Sequence, residues 1–251
     1  MNQVIKSRPS LKSILKVNSS NNFHFFFIEE AIKSYAKNIK KDTFPKNILV
    51  LGASHVEAET MIKFPFEKIV LTGIMPADKK TLEILQKDKR VSYEIENMES
   101  LSYKSSSFDL VFAKEAVHHV PRPILAIYEM LRVTKKAIIF VEPGETFIGK
   151  ILTKLNMASK YETNQSGNLN IRDNYVYRWD KQEIIKILNS YYLESGYKVI
   201  FSSCWMSNRY NIKVPSLVKI FNIFGWLASF IPYSEGNYLT CTIFRGKDIP
   251  K

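Results

Sequence analysis

The chain has 251 residues, of which 45% are apolar and 13% aromatic, so it can bury a sizeable core and is not expected to be disordered. Its formal net charge of +12 comes from scattered lysines without a basic block, which argues against nucleic acid as the partner. The two cysteines, Cys204 and Cys241, lie in separate apolar segments and in no metal-ligand spacing. They predict buried free thiols in a reducing cytoplasm, so we expect a cytoplasmic protein without a metal site.

The first 22 residues end in VNSSNN, and we expect them to be loosely ordered. They lack the apolar stretch and the small-residue cleavage site of a signal peptide. A single domain is then predicted over residues 23–251, beginning with a helix from about Phe25 to Lys40.

Short apolar runs alternate with helical patterns through the next hundred residues. Such alternation predicts βαβ units and a mostly parallel sheet. In the helix before the fifth strand, Ile124, Ile127, Tyr128 and Leu131 recur at helical spacing and form one apolar face. The predicted strands are 47–51, 68–72, 91–95, 108–113 and 136–142, and the predicted helices are 56–63, 78–88 and 122–133.

The pattern changes after Glu142. An insertion at about 146–180 is polar, and Asp180-x-x-Glu183 then resembles a capping box that opens a helix to about Tyr192. Two further strands are predicted at 197–204 and 237–244. Between them lies an apolar segment, 214–232, which is too short to span a bilayer because a spanning helix needs about 20 apolar residues.

Four interpretations of the segment 214–232 remain open from the sequence. It is a buried helix, a helix lying on a membrane surface, a lid over an apolar substrate, or the contact of a homodimer.

The stretch from Val91 to Pro143 carries several elements in a recognisable order: Asn97-Met98-Glu99, the strand start Phe108 to Val111, His118-His119-Val120, Glu129 to Val133, and Glu142-Pro143. It resembles the class I S-adenosylmethionine-dependent methyltransferases, in particular the methyltransferase type 11 group. The resemblance implies an α/β, Rossmann-like, seven-stranded and mostly parallel sheet with helices on both faces and an antiparallel last strand. It also implies methyltransferase activity with S-adenosylmethionine as the cofactor.

The loop after the first strand departs from that family. Its stretch is NILVLGASHVEAET, and the family's acidic-x-Gly-x-Gly-x-Gly pattern falls on Val50, Gly52, Ser54 and Val56. Only the first glycine is kept. Ser54-x-x-Glu57 is itself a capping box, however, and a helix that begins at His55 would give Val56 ordinary helical angles. Its N-terminus would then present N–H groups to the cofactor's carboxylate.

The resemblance also implies where the rest of the cofactor binds. Thr72 ends the second strand, where the family has an acid for the ribose, and Asp78 follows a turn later. Asn97 takes the place of the acid near the adenine amino group, and its side-chain carbonyl can still accept a hydrogen bond. The complete predicted set is Gly52, Ala53, Ser54, Thr72, Asn97, Met98, Ala113 and Lys114.

The candidates for acid–base chemistry follow the fourth predicted strand, 108–113. They are Lys114, Glu115, His118 and His119. We select His119 as the catalytic base, because imidazole suits proton transfer near neutral pH and a base helps when the acceptor is a hydroxyl or a protonated amine. Aromatic and amide side chains in the insertion suit a small-molecule, sugar or lipid-linked glycan acceptor. They are Tyr161, Glu162, Asn168, Tyr175, Tyr177, Arg178 and Trp179. We expect Trp205 and Arg209, which follow the strand at 197–204, to line the opening of the same acceptor site.

A second function stays open, namely a methyltransferase-fold protein that binds no cofactor and serves as a binding or scaffold subunit. In that case Val56 or Met75 would fill the cofactor pocket. A nicotinamide dehydrogenase fits poorly, because no G-x-G-x-x-G follows the first strand.

Overall fold

A computed structural model describes residues 2–17, 20–146, 150–151, 154, 161–162, 174–175, 177–191, 196–205, 214–230 and 236–245. The strands are β1 (Gln3–Ser7), β2 (Asn47–Leu51), β3 (Lys68–Gly73), β4 (Val91–Ile95), β5 (Phe108–Lys114), β6 (Thr134–Pro143), β7 (Tyr161–Glu162), β8 (Asn174–Tyr175), β9 (Tyr197–Cys204) and β10 (Tyr238–Arg245). The helices are α1 (Leu11–Ile14), α2 (Ser20–Lys37), α3 (His55–Met61), α4 (Lys79–Lys87), α5 (Pro123–Val133), α6 (Lys181–Ser190) and α7 (Pro215–Ala228), with 3₁₀ turns at Lys41–Thr43 and Val117–His119.

One mixed sheet organises the described part of the chain, in the order β1-β9-β10-β6-β5-β2-β3-β4. All its neighbouring strands pair in parallel except β10, which runs antiparallel to both β9 and β6. The predicted α/β class and the antiparallel last strand are therefore confirmed. Strands β2 and β5 are buried almost throughout, as expected for parallel strands covered on both faces.

The N-terminal segment differs from the prediction of a loosely ordered stretch over residues 1–22. Residues Gln3–Ser7 pair in parallel with β9 and extend the predicted seven-stranded sheet to eight strands. Ser10 then caps α1 by accepting the N–H of Ser13, and both Ile14 and Val17 are buried. These backbone hydrogen bonds and buried side chains give the segment a fixed place at one edge of the sheet.

Helix α2 packs on the face of the sheet formed by β6 and β10. Its Phe23 and Phe27 rings contact the Tyr238 ring at centroid distances of 4.9 Å each, and Tyr35 stacks on Phe244 at 5.4 Å. Helices α5 and α6 contribute Ile127, Met130 and Ile184, among others, to a second apolar cluster. Apolar side chains thus cover both faces of the sheet. The edge formed by the C-terminal ends of the parallel strands remains open.

The apolar segment predicted at 214–232 forms α7, which ends at Ala228 and buries Val218 and Asn222. Among the described residues, no helix is both long and apolar enough to cross a membrane.

Candidate cofactor and acceptor site

The candidate site lies at the C-terminal edge of the sheet, where the strand order reverses. Strand β2 has β3 on one side and β5 on the other, because the chain crosses over after β4. Open α/β sheets bind ligands in the crevice at such a point. The exits of β2, β3, β4 and β5 therefore define the region in which each predicted residue is placed below.

Gly52 occupies the exit of β2 in a conformation that only glycine adopts readily. Its φ is +64°, and the residue is exposed. A Cβ atom at this position would stand 2.5 Å from the Cβ of Ala116, far inside contact distance. This position therefore requires glycine for two reasons, namely its positive φ and its close approach to the turn after β5.

The predicted capping box is present. The Ser54 Oγ accepts the Val56 N–H at 3.2 Å, while the Glu57 carboxylate accepts the Ser54 N–H at 2.9 Å and the Ser54 hydroxyl at 2.7 Å. Helix α3 begins at His55, and Ser54 serves as its cap. Val56 therefore has helical angles and needs no glycine.

The capping box also uses donors that the cofactor's carboxylate would otherwise meet. The Ala53 N–H donates to the Thr72 carbonyl at 2.8 Å, and the N–H groups of Ser54 and Val56 are bonded as described. The turn is consequently rigid, but it offers fewer backbone donors than a glycine-rich loop does.

The expected orientation of the Thr72 side chain towards the cofactor is wrong. Its side chain is 1% exposed, and its hydroxyl donates to the Val50 carbonyl at 3.2 Å, so it faces the sheet rather than the crevice. Asp78 instead caps α4 by accepting the N–H and hydroxyl of Thr81 and lies 3.8 Å from the His55 Nδ1. The Asp78 carboxylate therefore lies at the start of α4, beside the start of α3.

Met98 lies beside the exit of β2, and Asn97 precedes it in the chain. Asn97 is exposed, and its Oδ1 accepts the Glu99 N–H at 2.9 Å, which leaves the second lone pair of that oxygen for another donor. The Met98 Cε lies 3.7 Å from the position that a Cβ on Gly52 would take. Both residues thus border the same crevice.

Three apolar side chains near the exits of β3 and β4 are exposed, namely Ile74 (65%), Met75 (53%) and Ile95 (63%). The last pairs with Gly73 across the two strands, which brings these side chains to one rim. Exposed apolar groups at a crevice are typical of a surface that receives a flat ring. Met75 does not fill a pocket, and Val56 packs against the core, so neither acts as the plug expected of a cofactor-free protein.

The His-His pair divides into a buried and an exposed imidazole. The His118 Nδ1 hydrogen-bonds to Glu142, whose other oxygen accepts the N–H groups of Ala116 and Val117 at 3.0 and 2.9 Å. His119 is exposed, and its ring lies 4.0 Å from that of its neighbour. Glu142 and His118 therefore shape the turn, and His119 is the imidazole that faces solvent.

Two predicted cofactor residues do not line the crevice with their side chains. Ala113 is fully buried within the sheet. Lys114 is 6% exposed, and its ammonium group lies 2.7 Å from the His24 Nδ1 and 2.5 Å from Glu115. This is a correction to the expected place of Lys114 beside the cofactor, because its charge is already paired.

Glu115 is the centre of a polar cluster that the sequence did not reveal. It has φ +46°, and its carboxylate contacts Lys114, the His24 Nδ1 at 3.1 Å and the Tyr238 hydroxyl, which donates at 2.8 Å. Burial alone would raise the pKa of Glu115, but the hydrogen bond from His24 and the charge of Lys114 hold that pKa well below its usual range. A non-glycine residue at positive φ is a form of local strain that accumulates at functional sites.

Glu129 and Arg132, in the stretch Glu129 to Val133 noted in the sequence, have a structural role. Arg132 hydrogen-bonds to both oxygens of Glu129 at 2.7 Å and donates to the carbonyl groups of Leu101 and Tyr103 at 2.9 and 2.7 Å. Glu129 also accepts the Leu101 N–H. The pair thus fixes the segment that follows Asn97 and Met98, so it positions one wall of the crevice.

The predicted acceptor loop is described only in part. Trp179 is buried and is held by backbone hydrogen bonds to Pro143 and Glu145, so it belongs to the core rather than to an acceptor surface. Tyr177 hydrogen-bonds to Glu183, and Trp205 packs against α7. Asn168 and Arg209 lie outside the described residues, as do the side chains of Tyr161, Glu162 and Tyr175.

Comparison with known proteins agrees with this geometry. Residues 57–141 match the family model of a methyltransferase domain, which is about a third of the chain. The match begins at Glu57, directly after the loop whose glycines are replaced. A search of curated protein sequences found no match.

Solved structures share the fold at low sequence identity. A Haloferax volcanii putative methyltransferase, solved with its methyltransferase activator, aligns with a TM-score of 0.54 at 12% identity over 90% of this chain and 89% of that one. Magnesium protoporphyrin IX methyltransferase from Synechocystis, with bound S-adenosylhomocysteine, aligns at 0.52 and 11% over 95% and 89%. The cyclase SpnF aligns at 0.50 and 13% over 85% and 79%.

Residues 57–141 are thus similar to a methyltransferase domain, and the described chain has the fold of the class I S-adenosylmethionine-dependent methyltransferases, with a degenerate glycine loop. S-adenosylmethionine is the cofactor of methyltransferases with this fold. The residues at the crevice fit it through the cradle at Gly52, the exposed apolar rim of Ile74 and Ile95, and the Asn97 carbonyl.

Proposed function

We propose that this protein transfers the methyl group of S-adenosylmethionine to a small-molecule acceptor, with a sugar or lipid-linked glycan as the narrower class. The cradle at Gly52 carries this proposal. Its φ of +64° and the 2.5 Å that would separate an added Cβ from the Ala116 Cβ exclude a side chain at the exit of β2, so backbone alone borders the switch point of the sheet there. A ligand at that point can approach the backbone closely.

Particular residues would hold the cofactor. Gly52, Ala53 and Ser54 form the turn against which the amino-acid part lies, and Asn97 and Met98 border the adenosine part. The exposed rim of Ile74, Met75 and Ile95 receives the adenine ring, and Asp78 is the nearest carboxylate for the ribose hydroxyls.

When bound, the cofactor supplies a sulfonium-activated methyl group, so the protein mainly brings the acceptor into line with it. We assign His119 the role of base, because it is exposed on the turn after β5 while His118 is held by Glu142. His119 would take the proton that a hydroxyl or ammonium acceptor releases. The buried pair of Glu142 and His118 fixes the turn on which this base stands.

A protein that has lost the cofactor remains the second candidate. The N–H groups of Ala53, Ser54 and Val56 are used within the loop, and the Thr72 hydroxyl faces Val50. These contacts favour weaker cofactor binding than a glycine-rich loop would give. The likeness to a protein whose name is that of a cyclase also supports this second candidate.

The test is transfer of tritium from methyl-labelled S-adenosylmethionine into extracted metabolites, with the organic-soluble fraction and an aqueous fraction freed of unreacted S-adenosylmethionine counted separately. The proposal expects label in at least one fraction, and in the organic fraction for a lipid-linked acceptor. His119→Ala should reduce the rate by about 10²-fold or more. Label in neither fraction, from protein that is folded by circular dichroism, would favour the cofactor-free candidate.

The control for a substitution at Gly52 is another glycine at positive φ. Gly52→Ala introduces backbone strain and a clash with Ala116 at the crevice, whereas Gly196→Ala introduces backbone strain at φ +79°, just before β9 begins at the opposite edge of the sheet. Only the first substitution should abolish transfer. Equal losses in both variants would mean that folding, and not the cofactor site, was affected.

A further inference from the structure

Helix α7 presents an apolar face to solvent. Leu217, Ile220, Phe221, Phe224 and Leu227 are 43–65% exposed and recur at helical spacing, which puts them on one side of the helix. Phe230, just beyond the helix, is exposed to 53% as well. An exposed apolar patch of contiguous large side chains marks an interaction surface.

The opposite side of α7 is already used. Val218, Asn222 and Ser229 are buried, and the Trp226 Nε1–H donates to the Pro9 carbonyl at 3.2 Å. The helix is therefore fixed by its contact with the N-terminal segment, and its large aromatic and aliphatic side chains are left outward.

The two segments that form this surface carry charge of a single sign. Residues 2–17 and 214–230 contain no aspartate or glutamate, while Lys6, Arg8, Lys12 and Lys219 are all exposed. The guanidinium of Arg8 lies 4.2 Å above the centre of the Phe230 ring, directly beside the apolar side chains. Lys16 is excluded from this set, because it lines a cavity of about 390 Å³ together with Glu29 and Glu30.

We propose that α7 and the basic N-terminal segment form a docking surface for an anionic lipid bilayer, with the apolar face inserted among the acyl chains and the basic groups against the lipid phosphates. Outward phenylalanine and leucine side chains flanked by lysine and arginine are the chemistry of an interfacial helix. A zwitterionic surface or a second copy of this chain would not use the one-sided positive charge.

The docking surface lies at the same edge of the sheet as the candidate cofactor site. A Cβ on Gly225 would stand 2.5 Å from the Trp205 Cβ, so α7 crosses the exit of β9 in close contact. Strand β9 runs in the same direction as β6, because β10 is antiparallel to both, and its exit is on the edge that carries Gly52 and His119. Docking would bring a lipid-linked acceptor to that edge, an extension that depends on the proposed function, whereas docking itself does not.

The experiment is flotation of the purified chain with phosphatidylcholine vesicles that contain either no or about a third phosphatidylserine. We expect binding to the anionic vesicles that weakens as salt rises. Phe221→Ser with Phe224→Ser should weaken it at least about tenfold, since each buried phenylalanine contributes strongly. Lys12→Glu with Lys219→Glu should weaken it by about fivefold or more for each charge removed.

Matched controls lie on another part of the surface. Leu82→Ser with Ile124→Ser removes exposed apolar side chains of α4 and α5, and Lys87→Glu with Lys104→Glu makes the same change of charge there. Neither control should alter vesicle binding. Equal weakening by the controls, or absence of binding to anionic vesicles by a chain that melts cooperatively, would overturn the proposal.

A third result would also overturn it. If light scattering shows a dimer that Phe221→Ser with Phe224→Ser converts to monomer, and vesicles do not compete, the face is covered by a second copy of the chain. Because no cofactor is present in these assays, their failure is distinguishable from failure of the methyltransferase proposal.

Discussion

Replacement of Glu142 tests how the turn that carries His118 and His119 is held. The carboxylate is fully buried, one oxygen accepts the Ala116 and Val117 N–H groups at 3.0 and 2.9 Å, and the other bonds to His118. In Glu142→Ala both N–H groups lose this acceptor, at about 1–3 kcal/mol each, and the bond to His118 is lost as well. We expect a loss of ~4 kcal/mol in the free energy of unfolding, in the range seen when one partner of a buried pair is removed.

Urea denaturation followed by circular dichroism measures this loss, and a thermal scan should show Tm lower by about 8–16 °C for a chain of this size. Glu142→Gln keeps an acceptor oxygen for the two N–H groups, so its loss should be smaller, about 1–2 kcal/mol. Glu83→Ala, on the exposed surface of α4, is the control and should change stability little. A loss below about 1 kcal/mol in Glu142→Ala would refute the view that this carboxylate holds the turn.

Three further substitutions test neighbouring parts of the structure. Arg132→Lys should lower the free energy of unfolding by about 1–2 kcal/mol, because lysine cannot keep both the paired bonds to Glu129 and the two carbonyl contacts. Ser54→Ala should cost about 1 kcal/mol through loss of the helix cap, measured by urea denaturation. Glu115→Gln should remove stability above pH 4.5 and lose its difference from the parent chain as pH falls: the folded pKa of Glu115 is depressed, so its contribution is present above the unfolded value and disappears on acidification.

Each of these predictions has a clear contrary result. Arg132→Lys with unchanged stability would mean that the contacts to residues 101 and 103 contribute nothing. A Ser54→Ala variant as stable as the parent chain would remove the capping box from the explanation of the loop. For Glu115→Gln, a stability difference that is constant between pH 7 and pH 3 would show that the carboxylate is not held anionic by Lys114 and His24.

The parallel strands could be predicted from the sequence because each is a short apolar run bounded by polar turns. The capping box at Ser54 could be predicted for a similar reason, since its partners lie three residues apart. Strand β1 could not be predicted in this way. Its residues QVIKS are mostly exposed at the edge of the sheet, and their order comes from pairing with β9, almost 200 residues away.

The site was predicted least well where side-chain direction matters. The sequence does not indicate that the Thr72 hydroxyl donates to the Val50 carbonyl instead of facing the crevice. The cluster around Glu115 depends on long-range contacts, since His24 is 90 residues from Lys114 and Tyr238 is 123 residues from Glu115. Only the folded sheet brings these groups together.

Calorimetric titration with S-adenosylhomocysteine shows whether the exit of β2 binds the cofactor, because it needs no acceptor. We expect saturable micromolar binding by the parent chain and by Gly196→Ala, and its loss in Gly52→Ala. No heat at millimolar ligand, and no shift in Tm, would contradict the assignment of a cofactor site at the exit of β2.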